Sequence, residues 1–244
     1  MIRAVLFDFW DTLVFYGRRE GRKLTRIRVR GLTETLVDAG FSVSLKNVER
    51  TLEELDAECD RIRGKTGREV DLHRQLRMLL EKLGIHESDS DLSQNLWDTY
   101  ANSVLSIKLK VRNGADSVLN LLKRRGYRVG LICNTYHTPS SVVRKILQKV
   151  GLYHYFDVLM FSDEYGRLKP RPEIFLEALS KMGVAPSEAV HVGDRPDLDM
   201  LGAKNAGSKA IHLKLTDQPY PADLPEPDET IKTLRQVPQI IKKL

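Results

Sequence analysis

The apolar run Ala4-Val5-Leu6-Phe7 ends abruptly at Asp8, and a short unbroken apolar stretch bounded by polar residues reads as a buried strand. Leu24, Ile27, Leu32, Leu36 and Val37 then recur at helical spacing until Gly40, which predicts a helix over residues 24–39. Ser44 opens a second helical stretch to about residue 63, and Gly64-Lys65-Thr66-Gly67 reads as a turn. Val70, Leu76, Leu79, Leu80 and Leu83 mark a third helix over 69–83, and a fourth runs from about residue 91 to 106. No strand pattern falls between residues 18 and 108. Consecutive helices after a single strand predict a helical domain inserted into a sheet rather than a part of it.

Beyond Asn113 the pattern alternates. Helices at 114–125, 140–150, 172–182 and 197–206 are interleaved with strands at 128–133, 158–161, 189–192 and 210–213. This alternation predicts a doubly wound parallel α/β sheet with right-handed crossovers. A Pro-rich loop at 218–227 precedes a last helix at 234–243. The expected organisation is an α/β core formed by residues 1–15 and 110–244, with a small α-helical domain at 16–109. The size of 244 residues, with 41% hydrophobic and 30% charged, suits a globular chain with a full core. Apolar runs are too short for a bilayer-spanning helix, and Asp8 and Asp11 interrupt any leader-like stretch after Met1. A cytoplasmic location with no membrane partner is expected. Cys59 and Cys133 form neither a disulfide framework nor a zinc-ligand spacing.

The net charge of +6 is concentrated, because Arg18, Arg19, Arg22, Lys23, Arg26, Arg28 and Arg30 follow one another closely. Such a run reads first as a solvated helix face, with attraction of an anionic ligand as the sharper alternative. Nucleic-acid binding needs aromatic platforms or a binding module, and the sequence has neither.

Polar residues gather where predicted strands end. Asp8 and Asp11 follow the first strand, Asn134 and Thr135 the second, Lys169 lies in the loop after Phe161, and Asp194 and Asp199 follow His191-Val192. In a parallel sheet all these loops open on one edge, where ligands bind. One Asp after a strand is ordinarily a helix cap, but several loops supplying carboxylates, an amide and a lysine exceed what capping requires. Crowded carboxylates need a cation, and hard oxygen donors without a Cys or His cluster point to Mg²⁺.

The stretches Phe7-Asp8-Phe9-Trp10-Asp11-Thr12-Leu13, Val129 to Thr135, Lys169-Pro170-Arg171-Pro172 and Val192-Gly193-Asp194 with Asp199 and Gly207 resemble the four motifs of the haloacid dehalogenase-like hydrolase superfamily, in order. The resemblance covers about residues 1–14 and 111–215. It implies a Rossmann-like core with a helical cap domain after the first motif. It further implies that Asp8 is the nucleophile and that Lys169 screens it from an anionic substrate. Asp8, Asp194 and the Trp10 backbone carbonyl would hold Mg²⁺, with Asp199 as ligand or supporting partner. Thr12 would orient Asp8, while Cys133, Asn134 and Thr135 would face the substrate.

The motifs also depart from the family. Trp10 stands where phosphatases of this family usually carry a second Asp as acid and base, Asp11 stands where Gly is usual, and Cys133 replaces a Ser or Thr. General acid/base help is worth a factor of about 10² to 10⁴, so Asp11 or a water is expected to replace it. The resemblance implies a Mg²⁺-dependent phosphatase acting on a small phosphorylated metabolite through an aspartyl-phosphate, with the basic residues helping to admit the anion. Two alternatives stay open: a 2-haloacid dehalogenase, whose family members carry an aromatic residue at the Trp10 position, and a metal-binding regulatory protein with weak turnover. Neither the substrate nor the oligomeric state follows from the sequence.

Overall fold

A computed structural model describes residues 1–86 and 90–244, and the chain divides into two compact units. The core unit, Met1–Phe15, Lys110–Asn134 and Arg144–Leu244, carries strands β1 (Ala4–Phe7), β2 (Val14–Phe15), β3 (Lys110–Val111), β4 (Arg128–Cys133), β5 (Val158–Phe161), β6 (Ala189–Gly193), β7 (Lys209–Leu213) and β8 (Glu229–Ile231). Six of them form one sheet in the order β5-β4-β1-β6-β7-β8, every neighbouring pair parallel. β1 is central, with Phe7 opposite Leu131 on one side and Val192 on the other. The parallel α/β core expected from the alternation is therefore present. β2 and β3 pair antiparallel, Val14 with Val111 and Phe15 with Lys110, where the chain leaves and re-enters the core unit. A two-residue pairing has no periodicity to read, and the sequence does not predict it.

The helical unit comprises Tyr16–Leu109 with Thr135–Val143. Its helices are α1 (Arg18–Asp38), α2 (Leu45–Thr66), α3 (Leu72–Lys82) and α4 (Ser90–Asn102). α1 packs on α2 and α4, and α3 on α2 and α4, so each apolar stripe meets two others. Leu24, Leu32, Leu36, Val48, Leu55, Leu79 and Leu96 fill the space between them. Ser44 caps α2 by accepting the Asn47 amide, and Asp71 caps α3 by accepting that of Arg74. The turn predicted at Gly64 is absent; α2 continues to Thr66 and stops at Gly67, whose φ of 62° supplies the left-handed cap. Arg18, Arg19, Arg22, Lys23, Arg26 and Arg30 are exposed on α1, and Arg28 is partly buried. The expected solvated face is what most of this run forms. Among the described residues no helix is long and apolar enough to cross a membrane.

The remaining helices are α5 (Ala115–Arg124), α6 (Ser140–Lys149), α7 (Ser162–Tyr165), α8 (Pro172–Met182), α9 (Leu201–Asn205) and α10 (Val237–Ile240). Ala4, Leu6 and Ile132 pack with Phe175 and Leu179 of α8 and Ala203 of α9, so Val5 and Phe7 point to the opposite face. The helix expected at 197–206 is a π-turn over Pro196–Met200 followed by α9. The expected C-terminal helix is a 3-10 turn, Leu234–Gln236, and the short α10.

Candidate active site

Asp8 follows β1, Asn134 follows β4, Lys169 lies beyond β5, and Asp194 follows β6. All four therefore meet at one sheet edge. The Asp8 amide continues the ladder by donating to the Val192 carbonyl at 3.0 Å. Lys169 is only 1% exposed, and its Nζ donates to Asp8 Oδ1 at 2.6 Å and to Asp199 Oδ1 at 2.7 Å. The Asn134 side chain fixes this lysine's backbone, donating from Nδ2 to the Lys169 carbonyl at 3.0 Å and accepting its amide at 2.9 Å. The Lys169-Pro170 peptide is cis.

Asp199 is held from three directions. Its Oδ1 also lies 2.8 Å from His191 Nε2, and its Oδ2 accepts the Arg195 amide at 3.0 Å. Among the described residues His191 Nδ1 is buried and has no hydrogen-bond partner, so Nε2 carries the proton and donates to Asp199. Gly193 makes room for this arrangement, since a Cβ there would lie 2.3 Å from the Asp199 carboxylate.

The charge balance is uneven. Asp8, Asp194 and Asp199 offer oxygen atoms that lie within 4.8 Å of one another, against one buried lysine. Burial pushes Asp8 up to about 6, with the charge of Asp199 adding and Lys169 opposing. Burial again leads for Asp194, which the charges of Asp8, Asp199 and Asp11 help raise to about 8. Burial opposes ionisation of Asp199 as well, but Lys169 and His191 outweigh it and hold that carboxyl below its ordinary value. Desolvation likewise opposes the charge on Lys169, yet Asp199 and Asp8 keep the ammonium protonated. Asp194 is thus the carboxylate left short of positive charge. An all-oxygen donor set with that deficit fits a hard divalent cation.

Several residues sit differently from their expected contacts. The Thr12 hydroxyl donates to Asp194 Oδ1 at 3.3 Å rather than to Asp8. Asn134 spends its amide on the Lys169 backbone, and the Cys133 thiol, fully buried, donates to the Asn134 carbonyl at 3.5 Å. Trp10 is half-buried with its ring edge-on to Phe9, centroids 4.7 Å apart. Thr135 is buried and groups with the helical unit. Asp11 is exposed and adopts φ 60°, a left-handed conformation that Asp tolerates better than most residues. Arg112 holds that turn by donating Nε to the Asp11 carbonyl at 3.1 Å and packing its guanidinium 4.2 Å from the Phe15 ring centroid. Partial desolvation raises the Asp11 carboxyl above its ordinary value against the pull of Arg112 and Arg195.

His191 and Arg112 escaped the sequence reading. His191 carried a usable signal, an ionisable residue inside the otherwise apolar run Ala189-Val190-His191-Val192. Arg112 carried none, because its role depends on a turn whose shape the sequence does not announce.

The site is thus a lysine-bridged carboxylate set at the carboxyl edge of a parallel sheet, in a chain with a helical unit inserted after β2. The family model for haloacid dehalogenase-like hydrolases matches residues 2–207, and the chain belongs to that family. It is 32% identical over 213 residues to a glyceraldehyde 3-phosphate phosphatase of Methanothermobacter thermautotrophicus, covering 86% of this chain and 85% of that protein. It is 30% identical over 249 residues to a protein of the same name from Methanopyrus kandleri, covering 100% and 99%. Among solved structures it is similar to a 2-haloacid dehalogenase from Pseudomonas syringae, with TM-score 0.73, 25% identity, and coverage of 100% and 99%. Phosphatase-named relatives thus span nearly the whole chain.

Proposed function

We propose that the chain is a Mg²⁺-dependent phosphatase of a small phosphorylated metabolite, with a three-carbon sugar phosphate as the first substrate to test. The observation that carries this reading is geometric: oxygen atoms of Asp8, Asp194 and Asp199 lie within 4.8 Å of one another, and the Lys169 ammonium reaches only Asp8 and Asp199 among them. Three carboxyl groups against one buried ammonium make an oxygen-donor set that suits a hard divalent cation. The names of the full-length relatives, glyceraldehyde 3-phosphate phosphatases, support the substrate class. Asp8, Asp194, the Trp10 carbonyl and Asp199, directly or through its neighbours, would hold the metal. When bound, Mg²⁺ supplies charge compensation for the carboxylates and the phosphoryl oxygens.

Asp8 attacks phosphorus, the bond from phosphorus to the ester oxygen breaks, and an acyl-phosphate forms on Asp8. Lys169 offsets the charge of Asp8 as the phosphoryl group approaches. The indole N–H of Trp10 is too weak an acid to protonate the departing oxygen, so Asp11 or a water supplies the proton, and a carboxyl raised above the ordinary range carries it closer to neutrality. Water then attacks the acyl-phosphate, returning a proton to the group that gave one in the first step; the bond from phosphorus to Asp8 breaks, releasing phosphate with Asp8 regenerated. A dehalogenase reading is favoured by Trp10, since halide leaves without a proton, and by the likeness to the 2-haloacid dehalogenase structure.

The test is release of phosphate from glyceraldehyde 3-phosphate and p-nitrophenyl phosphate, with Mg²⁺ and after chelation, beside release of chloride from 2-chloropropionate. Metal-dependent phosphate release without chloride release is expected; metal-independent chloride release overturns the reading.

A second measurement needs no substrate. Because Asp194 holds its proton to about pH 8 in the folded chain, against an ordinary value of 3.8, folding of the metal-free protein costs more as pH rises between those values. Asp199 and Lys169 do not reverse this, since their stabilising ionic forms are present throughout that window. Asp194→Asn removes the penalty. In chelator its Tm is expected to exceed that of the native chain at pH 8 by about 2–4 °C, equivalent to about 1 kcal/mol at this size. The gap narrows toward pH 5, and Mg²⁺ raises Tm of the native chain only.

A further inference from the structure

The second sequence motif straddles the two units. Asn134 closes the core strand, whereas Thr135–Val143 groups with the helices, and the residues directly after Asn134 are gripped by side chains from α1, α3 and the segment that precedes α3. Gln75 of α3 donates from Nε2 to the Tyr136 carbonyl at 2.7 Å and to the Val70 carbonyl at 2.6 Å. Glu69 accepts the Tyr136 amide on Oε2 at 3.3 Å, while its Oε1 accepts Arg63 Nε at 2.9 Å and the Val70 amide at 2.9 Å. Both backbone groups of Tyr136 are therefore held, and the Arg63 guanidinium lies 4.7 Å from its ring centroid.

The next residue is fixed as well. With Gln75 Nε2 committed to two carbonyls, its Oε1 is the acceptor, so His137 donates from Nδ1 at 3.2 Å. Arg28 donates to the His137 carbonyl at 3.2 Å. The reason for so many restraints is local: Tyr136 has φ 47°, a left-handed conformation that costs a bulky side chain energy and persists only where its surroundings enforce it. A relaxed Tyr136 would redirect the chain at Thr135.

We propose that Gln75 and Glu69 are positioning residues for the hydrolytic site, acting through the backbone of Tyr136 on Asn134 and hence on Lys169. This inference rests on the proposed function for its kinetic arm alone. The path is continuous: the two side chains set Tyr136, Tyr136 is two residues from Asn134, and the Asn134 amide clamps both backbone groups of Lys169. Lys169 in turn places its ammonium on Asp8 and Asp199. Misplacement of a reacting group by about 1 Å costs up to about 10²-fold in rate, so a modest loss of this grip is visible in turnover.

The experiment uses the full chain and Gln75→Met, which keeps the length of the side chain and removes its hydrogen bonds. Gln94→Met, at an exposed position of α4, is the control. Turnover of p-nitrophenyl phosphate is read as kcat and KM separately, and the side-chain amide resonances of Asn134 are read by ¹H–¹⁵N NMR without substrate. The expected result is a kcat about 10-fold lower with KM within about twofold, and shifted or broadened Asn134 amide signals. Neither is expected for Gln94→Met. Unmoved Asn134 signals overturn the proposal, and so does unchanged kcat in an active protein. If the native chain releases no phosphate, the functional reading has failed and the Asn134 signals alone decide the inference. Should Gln75→Met not fold, Arg28→Met removes the bond to His137 and is read in the same two ways.

Discussion

Asp8→Asn is expected to lower phosphate release by about 10⁴-fold or more, the scale of removing a nucleophile from a preorganised site, while leaving the chain folded. Asn keeps the shape and one oxygen that accepts from Lys169, but its amide does not form the acyl-phosphate. The same change is expected to help the metal-free fold at neutral pH. Burial pushes Asp8 up to about 6, against an ordinary carboxyl near 4, so its ionisation costs stability above that range, and a neutral side chain avoids the cost. The native chain incubated with substrate and quenched in acid is expected to carry one phosphate that is labile to base. The variant carries none. Turnover at more than about 1% of the native rate, after mass spectrometry has excluded deamidation back to Asp, would show that Asp8 is not the nucleophile.

The ionisation of Asp8 also sets the sign of the pH dependence. In limiting Mg²⁺, kcat/KM is expected to rise as pH passes upward through about 6, because the attacking form is the carboxylate. A bound cation favours the charged form and moves that limb to lower pH.

The parts of the fold that the sequence announced share a physical origin. β1 and β4 are interior strands buried over nearly their whole length, and such strands read as apolar runs whose ends are marked by Asp8 and Asn134. β8 gave no such run, because Glu229-Thr230-Ile231 is a short edge strand with its first two residues at least partly exposed. α2 overran the predicted turn because one glycine inside a helix costs only about 1 kcal/mol, less than the packing of a long amphipathic stripe returns. The predicted last helix is divided near Pro238, which cannot continue a helix from the 3-10 turn at Leu234–Gln236 and sits instead in the first turn of α10.

The candidate site divides in the same way. That Asp8, Asn134, Lys169 and Asp194 share an edge follows from parallel topology alone, so their assembly was legible from strand ends spread over the chain. Which atom each side chain touches was not. Thr12 faces Asp194 because the turn at Asp11 is left-handed, and Asn134 faces the Lys169 backbone because of the path of the loop after β5. Both depend on backbone geometry that no local pattern encodes. The division of the second motif between the two units was hidden for a related reason, since residues 135–143 are tied by side chains 60 or more positions away.

Lys169→Met is expected to have the larger effect on stability, because it removes a cation buried between two carboxylates of the site. The ammonium lies 2.6 Å from Asp8 and 2.7 Å from Asp199, and removing one partner of a buried ion pair costs about 3–5 kcal/mol. At about 2–4 °C per kcal/mol, Tm of the metal-free variant is expected to fall by roughly 10 °C. Asp8 and Asp199, no longer separated by positive charge, repel, and the variant sheds part of that penalty by taking up a proton. Its loss of stability is therefore greatest at pH 8 and smaller near pH 5. Turnover is expected to drop by about 10²- to 10³-fold, the cost of one electrostatic contact in a preorganised site. Lys169→Arg distinguishes charge from geometry. The guanidinium restores charge but spreads it over a planar fork larger than the compact ammonium that fits between two oxygens, so it is expected to recover more of the stability than of the rate. Mg²⁺ should raise Tm of Lys169→Met more than that of the native chain, since the variant has the greater deficit of positive charge. An equal or smaller rise would show that the lysine and the cation answer different carboxylates, with Lys169 committed to Asp199 and the metal to Asp194.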